Sequence, residues 1–167
     1  MSAPVAPLLV LGWGNPARAD DGLGLMLVDR LAQYAERALP PGRVECLCDF
    51  QLQVEHAVDL AGRERVLFVD AAHGLAQPFA VSTVRPQRER HFTTHALSPE
   101  ALLQVYVDVQ RAAPPACTLL ALRGRHWTLG EAPDAQALDD LARAQVWAER
   151  WLQGEVSPAA PPPGANP

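Results

Sequence analysis

The side chains equipped for chemistry in this chain are acids placed where apolar runs stop. Asp20 and Asp21 close the string Leu8-Leu9-Val10-Leu11-Gly12-Trp13-Gly14-Asn15-Pro16-Ala17-Arg18-Ala19-Asp20-Asp21-Gly22-Leu23-Gly24, Asp49 follows Val44 to Cys48, and Asp70 follows Arg65 to Val69. One acid at the start of a helix is ordinarily an N-cap worth about 1 kcal/mol, but capping needs a single carboxylate and this loop supplies two. Imidazoles occur further along, at His91, His95 and His126. A lone histidine before a helix is usually a surface or hydrogen-bonding residue, and His126, flanked by Arg125, gains little as a neutral donor to a cation. No Gly-x-Ser-x-Gly elbow occurs, and Cys46, Cys48 and Cys117 fall inside expected strands. Neither a Ser-His-Asp set nor a Cys-His pair is therefore visible.

The elements that must position these acids can be read from periodicity. Leu8 to Leu11 is an unbroken apolar run, as expected of a strand buried on both faces, and Gly12 and Gly14 allow a tight turn after it. Leu23, Leu27 and Leu31 recur at helical spacing and predict a helix from Gly22 to Arg37, stopped by Pro40-Pro41-Gly42. A strand over Val44 to Cys48, a helix over Gln53 to Ala61 and a strand over Arg65 to Asp70 follow. Phe79 to Val84 reads as an edge strand running antiparallel, and Arg85 to Arg90 as a polar loop. Ser98 as N-cap with Pro99 at the first position opens a helix with Leu102, Tyr106 and Val109 on one face. Cys117 to Leu122 is the last strand, Arg123 to Trp127 its exit loop, and Asp134 to Gln153 a closing helix whose Leu141, Ala144, Ala148 and Trp151 pack on the sheet. This order implies an α/β fold, a three-layer α/β/α sandwich with a mostly parallel sheet of about five strands. In such a sheet consecutive strand ends lie on one edge, so Asp20, Asp21, Asp49 and Asp70 are expected to converge there, in the usual ligand crevice.

A chain of 167 residues, 49% hydrophobic and 20% charged, can bury one core, and residues 1–154 are expected to form one domain followed by a disordered Pro- and Ala-rich tail, 155–167. A net charge of −5 with no lysine argues against a nucleic-acid groove, which needs a basic stripe. No apolar run approaches the length of a membrane span and no signal peptide opens the chain, so a cytoplasmic monomer with no membrane partner is expected. Three cysteines cannot all pair internally, and buried reduced thiols are the expectation.

Gly12-x-Gly14-Asn15 followed by Asp20-Asp21-Gly22-x-Gly24 resembles the opening of the hydrogenase maturation endopeptidases, and the similarity extends to Val66 to Asp70 and to His95 with its following helix. Members of that family remove the C-terminal extension of the [NiFe] hydrogenase large-subunit precursor once nickel has been inserted. The resemblance implies Asp21, Asp70 and His95 as catalytic and metal-site residues, Asp21 being the acid immediately before the residue matching Gly22. Carboxylate and imidazole together suit nickel or zinc better than magnesium. Nickel is expected to arrive with the precursor, the protein's partner, and no organic cofactor is implied. Asp49 and Asp20 are second-rank candidates, Asp49 as a residue orienting a ligand or water. Around Asp49 the segment Cys48 to His56 lacks the family's glycine-rich turn and looks like the branch serving soluble NAD-reducing hydrogenases.

Two other readings compete. Gly12-x-Gly14-x-x-Ala17 nominally fits a dinucleotide fingerprint, but Asp20 and Asp21 would put negative charge where a pyrophosphate should bind, and Pro16 removes an amide. A maturation chaperone that holds nickel or the precursor without cutting would use the same side chains. Loss of mass from a nickel-loaded precursor separates enzyme from chaperone.

Overall fold

A computed structural model describes residues 4–89 and 96–158. Five strands, β1 (Leu8–Trp13), β2 (Val44–Asp49), β3 (Arg65–Ala72), β4 (Phe79–Val84) and β5 (Ala116–Arg123), form one sheet in the order β2-β1-β3-β5-β4. The first four in that order run parallel, and β4 lies antiparallel at the edge against β5, with Phe79 opposite Leu122. Four helices complete the fold: α1 (Leu23–Ala38), α2 (His56–Asp59), α3 (Pro99–Gln110) and α4 (Ala135–Leu152).

All six residues of β1 are buried because it is central and covered on both faces. Its alternation divides the core in two. Leu8 and Val10 join Leu67, Val69, Leu120 and Leu122 under α1 and α4, where Leu27, Leu31, Ala144 and Trp151 close the layer. Leu9 and Leu11 join Val66, Phe68 and Cys117 on the opposite face, under Leu102, Leu103 and Tyr106 of α3 and Leu60 beside α2. The result is the three-layer α/β sandwich with a mostly parallel sheet that the sequence implies. No helix among the described residues is long and apolar enough to cross a membrane.

Four local expectations change. The helix expected over Gln53 to Ala61 is the single turn α2; Ala57 is buried but Val54 and Val58 are exposed, since a one-turn element presents too little face to bury a full apolar stripe. Val109 of α3 is likewise exposed, one turn beyond the last residue that reaches the sheet. Cys48 is exposed and Cys46 half-buried, because β2 is an edge strand; only Cys117 is buried. The acids before α1 do not cap it: a 3-10 turn, Ala19–Gly22, intervenes, and neither the turn nor α1 has a side-chain cap. By contrast Ser98 caps α3 by accepting from the Ala101 amide, and Asp134 caps α4 through the Ala137 amide. Residues 159–167, within the expected tail, lie outside the described residues.

Candidate functional site

The loop leaving β1 is fixed by its own polar groups. The Gly14 amide donates to the Asp49 carbonyl at 3.2 Å, the Ala17 amide to Asn15 Oδ1 at 2.9 Å, and the Asp21 amide to the Arg18 carbonyl at 3.0 Å. Gly14 has φ +147°, and a Cβ there would lie 2.0 Å from the Asp21 carbonyl oxygen, so no other residue allows the loop to fold back this tightly. Ala19, with φ 45°, is a non-glycine residue in the left-handed region and is held there by burial and by its amide donating to the Glu131 carbonyl. These constraints turn two adjacent acids in different directions.

Asp20 points inward and is fully buried. Its Oδ2 accepts from the Arg125 and His126 amides at 2.8 and 3.1 Å, and its own amide donates to the His126 carbonyl at 3.0 Å. Through Oδ2 it ties the β1 loop to the exit of β5, while its buried Oδ1 has no hydrogen-bond partner among the described residues. Asp21 faces the opposite way, into an open cleft of about 520 Å³ that Asp70 also lines. Asp21 Oδ2 accepts from the Asn15 amide at 2.9 Å.

Asp70 enters the cleft from the carboxyl end of β3, the strand next to β1. Burial pushes its carboxyl up to about 7 and the charge of Asp21 adds to the rise, while hydrogen bonds from the Ala71 amide and the Trp13 side chain pull the other way. Near neutral pH it can therefore either take or give a proton, as a general acid or base must.

Asp49 is not among the residues lining the cleft. Its Oδ2 lies 3.1 Å from His56 Nε2 and its Oδ1 accepts from the Phe50 amide. His56 is buried and its Nδ1 accepts from the Gln53 amide at 2.9 Å, so both ring nitrogens are occupied in holding the segment after β2. That segment carries Phe50 and Gln51 to the cleft wall. His126 pairs with Asp134 across 3.4 Å at the surface. His91 and His95 lie outside the described residues, whereas Ala96, which follows His95 in the chain, lines the cleft. Among the described residues no three His, Cys, Asp or Glu side chains converge closely enough to hold a metal ion.

Sequence reading missed His73 and Trp127, both at the cleft. Their rings stack with centroids 4.0 Å apart, bringing together the loops after β3 and β5. A signal was available only for His73, three residues beyond Asp70. Next to this wall, Arg123 donates to both carboxylate oxygens of buried Asp140, and Arg125 donates to Asp140 Oδ2 at 2.8 Å. The Arg123 hydrogen bonds hold the Asp140 carboxyl below the usual range despite its burial.

The arrangement speaks against dinucleotide binding. Gly14 makes room for the chain's own carbonyl at Asp21, and Gly12 and Gly24 make room for close packing of α1 on β1 and β3, where a Cβ on Gly24 would lie 3.1 Å from the Trp13 and Val69 carbonyl oxygens.

No family model matches the sequence, and no curated protein does. Solved structures do. A [NiFe] hydrogenase maturation protease, HycI, from Thermococcus kodakarensis KOD1 superposes with a TM-score of 0.68 at 19% identity, over 89% of this chain and 93% of its own. The hydrogenase maturating endopeptidase HybD from E. coli gives a TM-score of 0.67 at 20% identity, over 93% and 97%. A hydrogenase 2 maturation peptidase from Thaumarchaeota archaeon SCGC_AB-539-E09 gives 0.62 at 23%, over 89% and 99%. At these identities the likeness is one of architecture, and over nearly its whole length this chain has the fold of the solved hydrogenase maturation endopeptidases.

Proposed function

We propose that this protein is an endopeptidase that removes the C-terminal extension of a [NiFe] hydrogenase large-subunit precursor after nickel insertion. The observation that carries the reading is the pairing of Asp21 and Asp70 in one open cleft of this fold, with the Asp70 carboxyl raised to about 7. Two neighbouring, partly desolvated carboxylates repel one another, and a cation brought by the substrate relieves that repulsion. Nickel belongs here to the precursor, and Asp21, Asp70 and His95 complete its coordination, fixing the nearby peptide bond in the cleft. Hydrolysis then needs a water oxygen to add to the carbonyl carbon, the C–N bond to break, and the proton lost by water to reach the leaving amine.

The substrate belongs, on this reading, to the soluble NAD-reducing group of hydrogenases and meets the enzyme in the cytoplasm. The support is the segment after β2, which the Asp49–His56 pair holds so that Phe50 and Gln51, rather than a glycine-rich turn, form one wall of the cleft.

The test is to mix the protein with nickel-loaded and nickel-free precursor and weigh the products. The loaded form is expected to lose its extension and the free form to stay intact. Equal cleavage of both would remove nickel from the recognition step, and tight binding of loaded precursor without mass loss would make the protein a chaperone.

A further inference from the structure

Arg18 is the one arginine or lysine among the described residues that line the cleft. Its backbone belongs to the rigid loop that carries Asp21: its amide donates to the Asn15 carbonyl at 3.1 Å, and its carbonyl accepts from the Asp21 amide at 3.0 Å. The exposed side chain donates from Nε to the Trp127 carbonyl at 3.4 Å, and Trp127 is in turn held by its stack on His73. Among the described residues no ion pair joins this guanidinium to Asp21, Asp70 or any other acid, whereas Arg123 and Arg125, next to the cleft, are both committed to Asp140. The two terminal amino groups of Arg18 thus have no acid partner among the described residues, although the same cleft is lined by Asp21 and Asp70. A planar fork of donors, aimed by Nε and otherwise unengaged, matches a carboxylate bidentately. An anion entering a cleft that already holds Asp21 and Asp70 also needs a nearby positive charge, and Arg18 supplies it.

We infer that Arg18 is a specificity-determining residue that binds a carboxylate of the polypeptide substrate next to the bond presented to Asp21 and Asp70. The inference rests on the endopeptidase reading and names a feature that its substrate must carry. The carboxylate has two possible sources, an Asp or Glu side chain near the cleavage point or the C-terminal carboxylate of the extension itself.

Steady-state cleavage of nickel-loaded precursor by wild type, Arg18→Ala, Arg18→Gln and Arg18→Lys provides the test. Substrates are the native precursor, variants with each Asp or Glu of the extension changed to its amide, and one whose terminus is displaced by an added Gly-Ser stretch. Arg18→Ala and Arg18→Gln should raise KM about tenfold or more, the change falling on KM rather than kcat, and Arg18→Lys should recover part of the loss. One substrate variant should raise the wild-type KM to the same degree and be indifferent to Arg18→Ala, which identifies the source of the carboxylate. An unchanged KM in Arg18→Ala, or an equal effect of that substitution on every substrate variant, overturns the inference and leaves the endopeptidase reading standing. Failure of wild type to cut any nickel-loaded precursor overturns both.

Discussion

Asp140 lies beneath two guanidinium groups, whereas Asp70, at the same edge of the sheet, faces another acid. In the Arg123–Arg125–Asp140 cluster opposite charges meet in hydrogen-bonded pairs, and the neighbouring Asp20 is half satisfied: its Oδ2 accepts from two amides while its buried Oδ1 has no partner among the described residues. The Asp21–Asp70 pair is unresolved, with like charges in one cleft and no cation bound to either among the described residues. The first arrangement connects β5, α4 and the β1 loop; the second costs stability, and in the proposed reaction the substrate's cation offsets that cost. Two carboxylates of one residue type thus take different roles according to whether their counter-charge lies within the chain.

The sharpest break of this contrast is Asp21→Asn. It keeps the hydrogen bond from the Asn15 amide and removes the charge, so processing of nickel-loaded precursor should fall at least about a hundredfold with the thermal midpoint little changed. His95→Ala should do the same, as it removes the imidazole assigned to the cation. Near-normal processing by both variants would dissolve the proposed site.

On the structural side, Asp140→Ala strands two arginines at a partly buried position and should cost about 2–4 kcal/mol, read as a lower urea midpoint. Should stability hold, the cluster is not what joins α4 to the β5 exit.

Asp70→Asn tests the cost from the other direction. Because the folded state raises the Asp70 carboxyl from 3.8 to about 7, folding binds a proton there, and stability falls as pH rises from about 4 to 7. The asparagine variant should lack that decline and be more stable than wild type at pH 8, by roughly 2–4 kcal/mol, while losing activity. Parallel stability–pH curves for the two proteins would show that Asp70 is not strained by its surroundings.

The smallest effect is expected at His126, an exposed partner of Asp134. His126→Ala should change stability by less than about 0.5 kcal/mol and leave processing intact. Its amide and carbonyl, not its ring, hold Asp20, and the substitution retains both.

Much of the architecture was written locally. The apolar run of β1, the Ser98–Pro99 start of α3, the Asp134 start of α4 and the antiparallel edge placement of β4 each follow from residues within a few positions of one another, because caps, turns and periodicity are short-range. The acids at the strand ends were legible for the same reason. Their division was not. Asp20 and Asp21 have the same chemistry and adjacent places, and only the left-handed Ala19 and the 3-10 turn send one to the Arg125 and His126 amides and the other to Asp70. Asp49 meets His56, a partner that periodicity had assigned to a longer helix. The His73–Trp127 stack and the Arg18 bond to Trp127 join loops far apart in the chain. Such contacts depend on which strands neighbour one another in the sheet, so local patterning determines where a side chain can be placed, and tertiary packing determines what it meets.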